Sequence, residues 1–245
     1  MLAKGLTLLE ALAEHPQGTG VSQMAREVGL PISTVHRLLG NLVERGFVSF
    51  DSGSRRYYLG LKIFELSNHV SLARGLSEVA LPRMRKLAEI TEESVFMAVR
   101  DGTELVYIER VEGTSRIQIR GTIGSRGPLY STAQGKAILA SLPEPDFEEV
   151  LGKIHLEPRA PNTITDPVEL RKELQRTRER GWARSDEENQ EGIRAVGVAL
   201  MNSWERPIAA ISVAAPVFNV SLSRLEEFAP LLLDTAREIE LQLPS

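Results

Sequence analysis

Between residues 30 and 45 the apolar side chains fall at Ile32, Val35, Leu38, Leu39, Leu42 and Val43, the spacing of one helix face. The polar residues Ser33, Thr34, His36, Arg37, Asn41 and Arg45 share the opposite face. A shorter helical run over 22–28 precedes it, closed by Gly29 at the place of a C-terminal glycine, and Pro31 favours the start of the next helix. A further amphipathic run over 4–14, with Leu6, Leu9 and Ala13 on one side and Leu8 and Leu12 beside them, ends at His15-Pro16-Gln17-Gly18. After the second polar-faced helix the period changes. Phe47–Phe50 and Tyr57–Leu59 read as strands, and Asp51-Ser52-Gly53-Ser54 between them is turn chemistry.

The pattern is again helical from Leu61 to about Thr91, with a break expected near Gly75 and Pro82 in a first turn. Consecutive strands are then predicted over 94–100, 104–111 and 116–121, with Asp101-Gly102 as a hairpin turn. Helices follow over 131–142 and 145–151, and a third from Asp166-Pro167-Val168-Glu169 to Gly181. Residues 185–195 read as an acidic loop, 193–201 and 208–214 as strands joined near Glu205-Arg206-Pro207. Ser223 with Glu226 is expected to cap a last helix on Leu225, Phe228, Leu232, Ala236 and Ile239. Strands enclosed by helices make this an α+β chain with a separate helical head.

Composition adds little to that picture except by exclusion. The 245 residues hold two ordinary domains, no apolar run approaches a membrane span, and no signal peptide opens the chain, so a cytoplasmic location with no membrane partner is expected. Cysteine is absent, which removes disulfides and thiolate chemistry. His15, His36, His69 and His155 are scattered without metal-ligand spacing, and no G-x-S-x-G elbow exists. Gly135-Lys136 superficially matches a phosphate loop, but Tyr130 stands where its earlier glycine belongs and Ala137 where Ser or Thr belongs. The expected catalytic, metal and cofactor sites are therefore none. An enzyme with accessory helices would need a nucleophile, base or metal cluster that the sequence does not offer.

The net charge of −4 is uneven: residues 1–75 carry a balance of +2 and the remainder −6. Short hydrogen-bonding residues and arginine on one face of a helix suit a DNA major groove. Ser33, Thr34, His36, Arg37 and Asn41 are the candidate contacts, with Arg55 and Arg56 presented to the DNA backbone by the hairpin. Taken alone, such a helix is more often an ordinary surface helix and two adjacent arginines a solvated hairpin. Short helix, Gly-Leu-Pro turn, second helix and basic hairpin within forty residues favour DNA reading. The first helix is expected to open almost at Met1, with no basic arm expected ahead of it. In the second half, Ser131 and Thr132 stand at a helix N-terminus, where amides and hydroxyls hold an anion, or where one of them simply caps the helix.

At these residues the chain resembles the isocitrate lyase regulator (IclR) family of bacterial transcription factors. The motifs are LPISTVHRLLGNL at 30–42, RRYYLG at 55–60, GPLYSTAQGKA at 127–137, TITDP at 163–167, DEENQEGIR at 186–194 and AAISVAAP at 209–216. The resemblance implies a winged helix-turn-helix domain over 1–60, a linker helix over 61–75 and a GAF-like effector-binding domain over 76–245. It implies a palindromic double-stranded DNA operator, a homodimer or homotetramer and a small organic effector. Carried over by position, the effector pocket comprises Gly121, Thr122, Ile123, Gly124, Tyr130, Ser131, Thr132, Ser185, Ala195 and Ser212. The family often has His at Tyr130, Asp at Ser185 and Cys at Ala195. Those departures lead to an expectation of no zinc and of a larger, less polar effector, such as an aromatic acid.

Overall fold

The computed structural model describes residues 1–67, 71–119 and 121–243. His69 lies outside them. The chain divides into two compact units, Met1–Arg74 and Gly75–Ser245.

The first unit opens with α1 (Leu2–Ala13), α2 (Val21–Glu27) and α3 (Ile32–Glu44). Gly29 takes φ +65° between α2 and α3, a conformation that a side chain would strain, so the reversal falls there. A two-stranded antiparallel hairpin follows, β1 (Val48–Asp51) and β2 (Arg56–Leu59), then α4 (Leu61–Ser67). Leu8, Leu12, Met24, Val35, Leu38, Leu39, Val48 and Tyr57 form the core. Val35, Leu38 and Leu39 bury the expected face of α3, but Ile32 is exposed in the helix's first turn. On α1 the buried stripe is Leu8 and Leu12; Leu6 is exposed, because that face lies away from α2 and α3.

The second unit begins on α5 (Ser71–Thr91), which runs unbroken through Gly75 and holds Pro82 in its interior. Both expectations there are corrected. Gly75 costs a helix only about 1 kcal/mol, and α5 recovers more by burying Leu76, Ala80, Met84, Leu87 and Ala88. The strands β3 (Ser94–Asp101) and β4 (Glu104–Val111) form the predicted hairpin. The strand predicted over 116–121 is absent among the described residues. Its place beside β4 is taken by β5 (Arg126–Pro128), so 112–125 is a long connection. Then come α6 (Ala133–Ser141), α7 (Glu144–Leu151), α8 (Pro167–Arg180), β6 (Ala183–Asp186), β7 (Ile193–Met201), β8 (Pro207–Pro216) and α9 (Leu222–Glu240). Part of the expected acidic loop is thus strand β6, paired antiparallel with β7. The cap of α9 is Ser221, which accepts from Arg224 N, and not Ser223.

The six strands form one antiparallel sheet in the order β5-β4-β3-β8-β7-β6. Alternation divides it sharply. Val95, Met97, Val196, Val198, Ile211 and Val213 pack with α5 and α9 in the main core. The residues between them are Ala195, Gly197, Ser212 and Ala214, with Phe96 opposite Ser212. Bulky side chains therefore fill one face, and small ones leave room on the other. Among the described residues no helix is long and apolar enough to cross a membrane.

Candidate functional site

The exposed side of α3 presents Ser33, His36, Arg37 and Asn41 in one row, with Thr34 partly buried beside them. The buried side is fixed by the α1 and α2 core, so the row is presented by a helix that cannot roll. Arg37 Nη2 donates to Met1 Sδ at 3.6 Å. In the hairpin, Asp51 accepts from Gly53 N at 3.0 Å and Ser54 Oγ at 2.6 Å, and these bonds hold its carboxyl below the ordinary aspartate range. Arg55 is exposed with φ +54°, outside the usual region for a side chain of its size. Arg56 is used differently. Its Nη1 donates to the carbonyls of Gln17 at 3.1 Å and Gly18 at 3.0 Å, tying the hairpin to the α1–α2 connection beside the Thr19–Tyr57 bridge.

In the second unit a cavity of about 190 Å³ opens on the small-residue face of the sheet. Phe96, Tyr107, Ser212, Ala195 and Ser185 rise from five adjacent strands, and Thr132, Ala133 and Gln134 bring the first turn of α6 to it. The close approach needs Gly197, where a Cβ would lie 2.9 Å from Ala133 C and Gln134 N. Thr132 caps α6: its hydroxyl accepts from Gly135 N at 3.1 Å and donates to Pro128 O at 2.7 Å. Lys136 N bonds Thr132 O. The amides of Ala133 and Gln134 have no acceptor among the described residues, which leaves the positive end of the helix at the cavity.

The ten expected effector residues divide. Gly121, Thr132, Ser185, Ala195 and Ser212 line the cavity. Thr122, Ile123 and Gly124 do not; they form an outward turn in which Ile123 is exposed and Ser125 N bonds Thr122 O. Tyr130 does not either. It is packed with Leu129, Ile138 and Leu170, and its hydroxyl bonds the Glu157 backbone, donating to its carbonyl at 2.9 Å. Ser131 stands behind the wall, its carbonyl accepting from Ser185 Oγ at 2.7 Å and its hydroxyl donating to Asn189 Oδ1 at 3.2 Å. Sequence reasoning missed Phe96, Tyr107, Ile119, Gln134 and Asn189, all of which line the space. The alternation of small and large residues over 194–200 and 210–214 was the available signal for where it would open.

Lys136, fully buried one turn into α6, places Nζ 2.6 Å from both carboxylate oxygens of Glu188. Burial pulls the lysine down and the glutamate up, and their mutual attraction opposes both shifts. Thr163 Oγ1 also donates to Glu188 O at 2.6 Å, so the segment carrying Asn189 and Gln190 is pinned against the cavity from two sides. Among the described residues no cluster of three or more His, Cys, Asp or Glu is arranged to hold a metal.

Comparison with known proteins agrees with this architecture in both units. The model of the IclR helix-turn-helix domain matches residues 1–52, and that of the bacterial transcriptional regulator IclR C-terminal domain matches 69–241. The transcriptional repressor IclR of Escherichia coli K12 is 32 % identical over 242 residues, covering 98 % of this chain and 88 % of that protein. The regulator KdgR of the same strain is 32 % identical over 241 residues, covering 96 % and 89 %. Among solved structures, the Thermotoga maritima IclR superposes with a TM-score of 0.83 at 34 % identity, covering 99 % of this chain and 98 % of that one. An IclR homolog from Microbacterium hydrocarbonoxydans, complexed with 4-hydroxybenzoate, superposes at 0.85 with 27 % identity, covering 98 % and 97 %. An exposed polar row on a helix-turn-helix, a small-residue cavity under a second helix and full-length similarity to these regulators place the chain in the IclR family of bacterial transcriptional regulators.

Proposed function

We propose that the chain binds a palindromic operator as a dimer or tetramer and responds to a small organic monocarboxylate, of aromatic type, held in the sheet cavity. The observation that carries the DNA half is the row Ser33, His36, Arg37 and Asn41 on a helix whose other face is locked in the core. Ser33, Thr34, His36, Arg37 and Asn41 contact base edges or phosphates, and Arg55 reaches the backbone from the hairpin. Arg56 serves chiefly by fixing that hairpin's position. A pair of heads supplies the affinity that one short helix lacks. Met1 at the N-cap of α1, Leu2 and Leu6 on α1, and Leu61 and Leu66 on α4 are exposed apolar residues of the same unit, which suits their cover by a second copy.

For the effector half, the free amides at the start of α6 favour a carboxylate. Phe96, Ile119, Ile193, Ala195 and Ala214 supply apolar walls for the rest of the molecule, and the 4-hydroxybenzoate complex of a relative is in keeping with such a ligand. Ser185 and Ala195, where the family often has Asp and Cys, reduce the polarity of the lining; Tyr130 takes no part in it. Bound effector shifts the population toward an arrangement with a different spacing of the two heads, and operator affinity changes with it.

The test is a gel-shift titration of Arg37→Ala with a circular-dichroism control. A tenfold or greater loss of operator affinity with an intact fold is expected. Unchanged binding counts against α3 as the reading helix.

A further inference from the structure

Two side chains at the cavity have donors with no acceptor among the described residues. Gln134 lines the space, is 3 % exposed, and its Nε2 is buried without a hydrogen-bond partner among the described residues. Leaving such a donor unpaired is costly, so its place is explained if a ligand supplies the acceptor. Tyr107 lines the same space on β4, edge-on to Phe96 at 6.0 Å between ring centroids. Its hydroxyl makes no hydrogen bond among the described residues, and burial holds the phenol above its usual range, in the protonated donor form. A Cβ on Gly127 would lie 3.2 Å from Tyr107 Oη and 3.6 Å from Thr132 Cγ2, so the hydroxyl and the α6 cap flank the same glycine. Ser185, Thr132 and Ser131, by contrast, have committed their hydroxyls to the protein itself.

We infer that Tyr107 and Gln134 are the specificity-determining donors of the cavity, completing with the free amides of α6 a receptor for one carboxylate. The inference rests on the reading of this cavity as the effector site. Its consequence is chemical. Tyr107 Oη, Gln134 Nε2 and the amides of Ala133 and Gln134 offer hydrogens to the ligand head, a match for a carboxylate and a poor match for the NH₂ of a primary amide of the same shape. Gln134→Glu keeps the shape, removes the donor and adds a negative charge, so it should invert that preference.

Isothermal titration of the full-length chain with 4-hydroxybenzoate, pyruvate and the primary amide of each tests this. For whichever acid binds, the unaltered chain should take it at least tenfold tighter than its amide. Gln134→Glu should lose at least tenfold for the acid while binding the amide no worse. Tyr107→Phe should weaken the acid several-fold with no fall in the melting temperature of the unliganded protein. If both variants bind the acid as the unaltered chain does, the two donors are not the determinants, although the cavity remains an effector site. If the unaltered chain binds none of the four probes, the carboxylate reading of the cavity fails and the inference with it.

Discussion

Glu93 is 3 % exposed just before β3, accepts from Ser115 Oγ at 3.0 Å with the Asn219 side chain also near its carboxyl, and has no geometric partner for Oε2 among the described residues. Burial raises its carboxyl above the usual glutamate range. A raised folded value means that the protonated form fits the fold better: its contribution is fully present below the unfolded pKa and is lost as pH rises through the folded one. Glu93→Gln should therefore raise the melting temperature at pH 7, and the gain should vanish near pH 4; a gain independent of pH contradicts the assignment. The Lys136–Glu188 pair makes the opposite case. Lys136→Met strands a buried carboxylate and should cost about 3–5 kcal/mol in denaturant unfolding, whereas Lys136→Met with Glu188→Leu should recover most of it. A double variant no more stable than Lys136→Met would show that the stranded Glu188 carboxylate is not the source of the loss. The two hairpin arginines are adjacent in sequence and part company in space. Arg55→Ala should weaken operator binding with stability unchanged, while Arg56→Ala, which breaks two bonds to backbone carbonyls, should also lower the stability of the head by about 1 kcal/mol. Their adjacency gave no sign of that division, because the partner carbonyls lie 38 and 39 residues away.

Elements with one-sided burial were legible and those fixed by long-range pairing were not. The last helix buries Leu225, Phe228, Leu232, Ala236 and Ile239, the five positions its period singles out, because one sheet covers one stripe. The β3–β4 hairpin and strand β7 were likewise readable from alternation and from Asp101-Gly102. Strand β6 was not: four residues, Ala183–Asp186, carry too little pattern, and only pairing with β7 makes them a strand. The segment after β4 reads as a strand over 116–121 because its apolar residues alternate. Instead Ile119 and Gly121 face the cavity, and Ile117 is exposed. A cavity wall and a strand face have the same period. The meeting of α6 with β7 supplies an element-scale prediction. Gly197→Val forces a side chain to within 2.9 Å of the backbone at Ala133 and Gln134, so the first turn of α6 must move. Carboxylate binding by calorimetry should fall at least tenfold, and retained affinity would show that the α6 amides are not the receptor.

At the scale of the molecule, the chain combines a helix-turn-helix head with a sheet domain that carries a cavity, and both units match IclR domain models. The class of function was legible in forty residues, since helix-turn-helix punctuation and a basic hairpin are local features. The cavity was half legible: the family motifs located α6, β6, β7 and β8, which line it, while the Tyr130 side chain, which a local motif does not orient, packs elsewhere. The proposed pairing of copies follows from the small reach of the helix-turn-helix, since one short helix with few cationic side chains reads little DNA by itself. Under that proposal, the exposed apolar residues of α1 and α4 are the surface a second copy would cover. The most direct measurement is selection of bound duplexes from a random DNA pool by the full-length chain, repeated with Arg37→Ala. Enrichment of an inverted repeat, with half-sites a whole number of helical turns apart and lost with Arg37→Ala, is the predicted result. No enrichment, or a single unrepeated motif indifferent to Arg37, would contradict paired reading of DNA through α3.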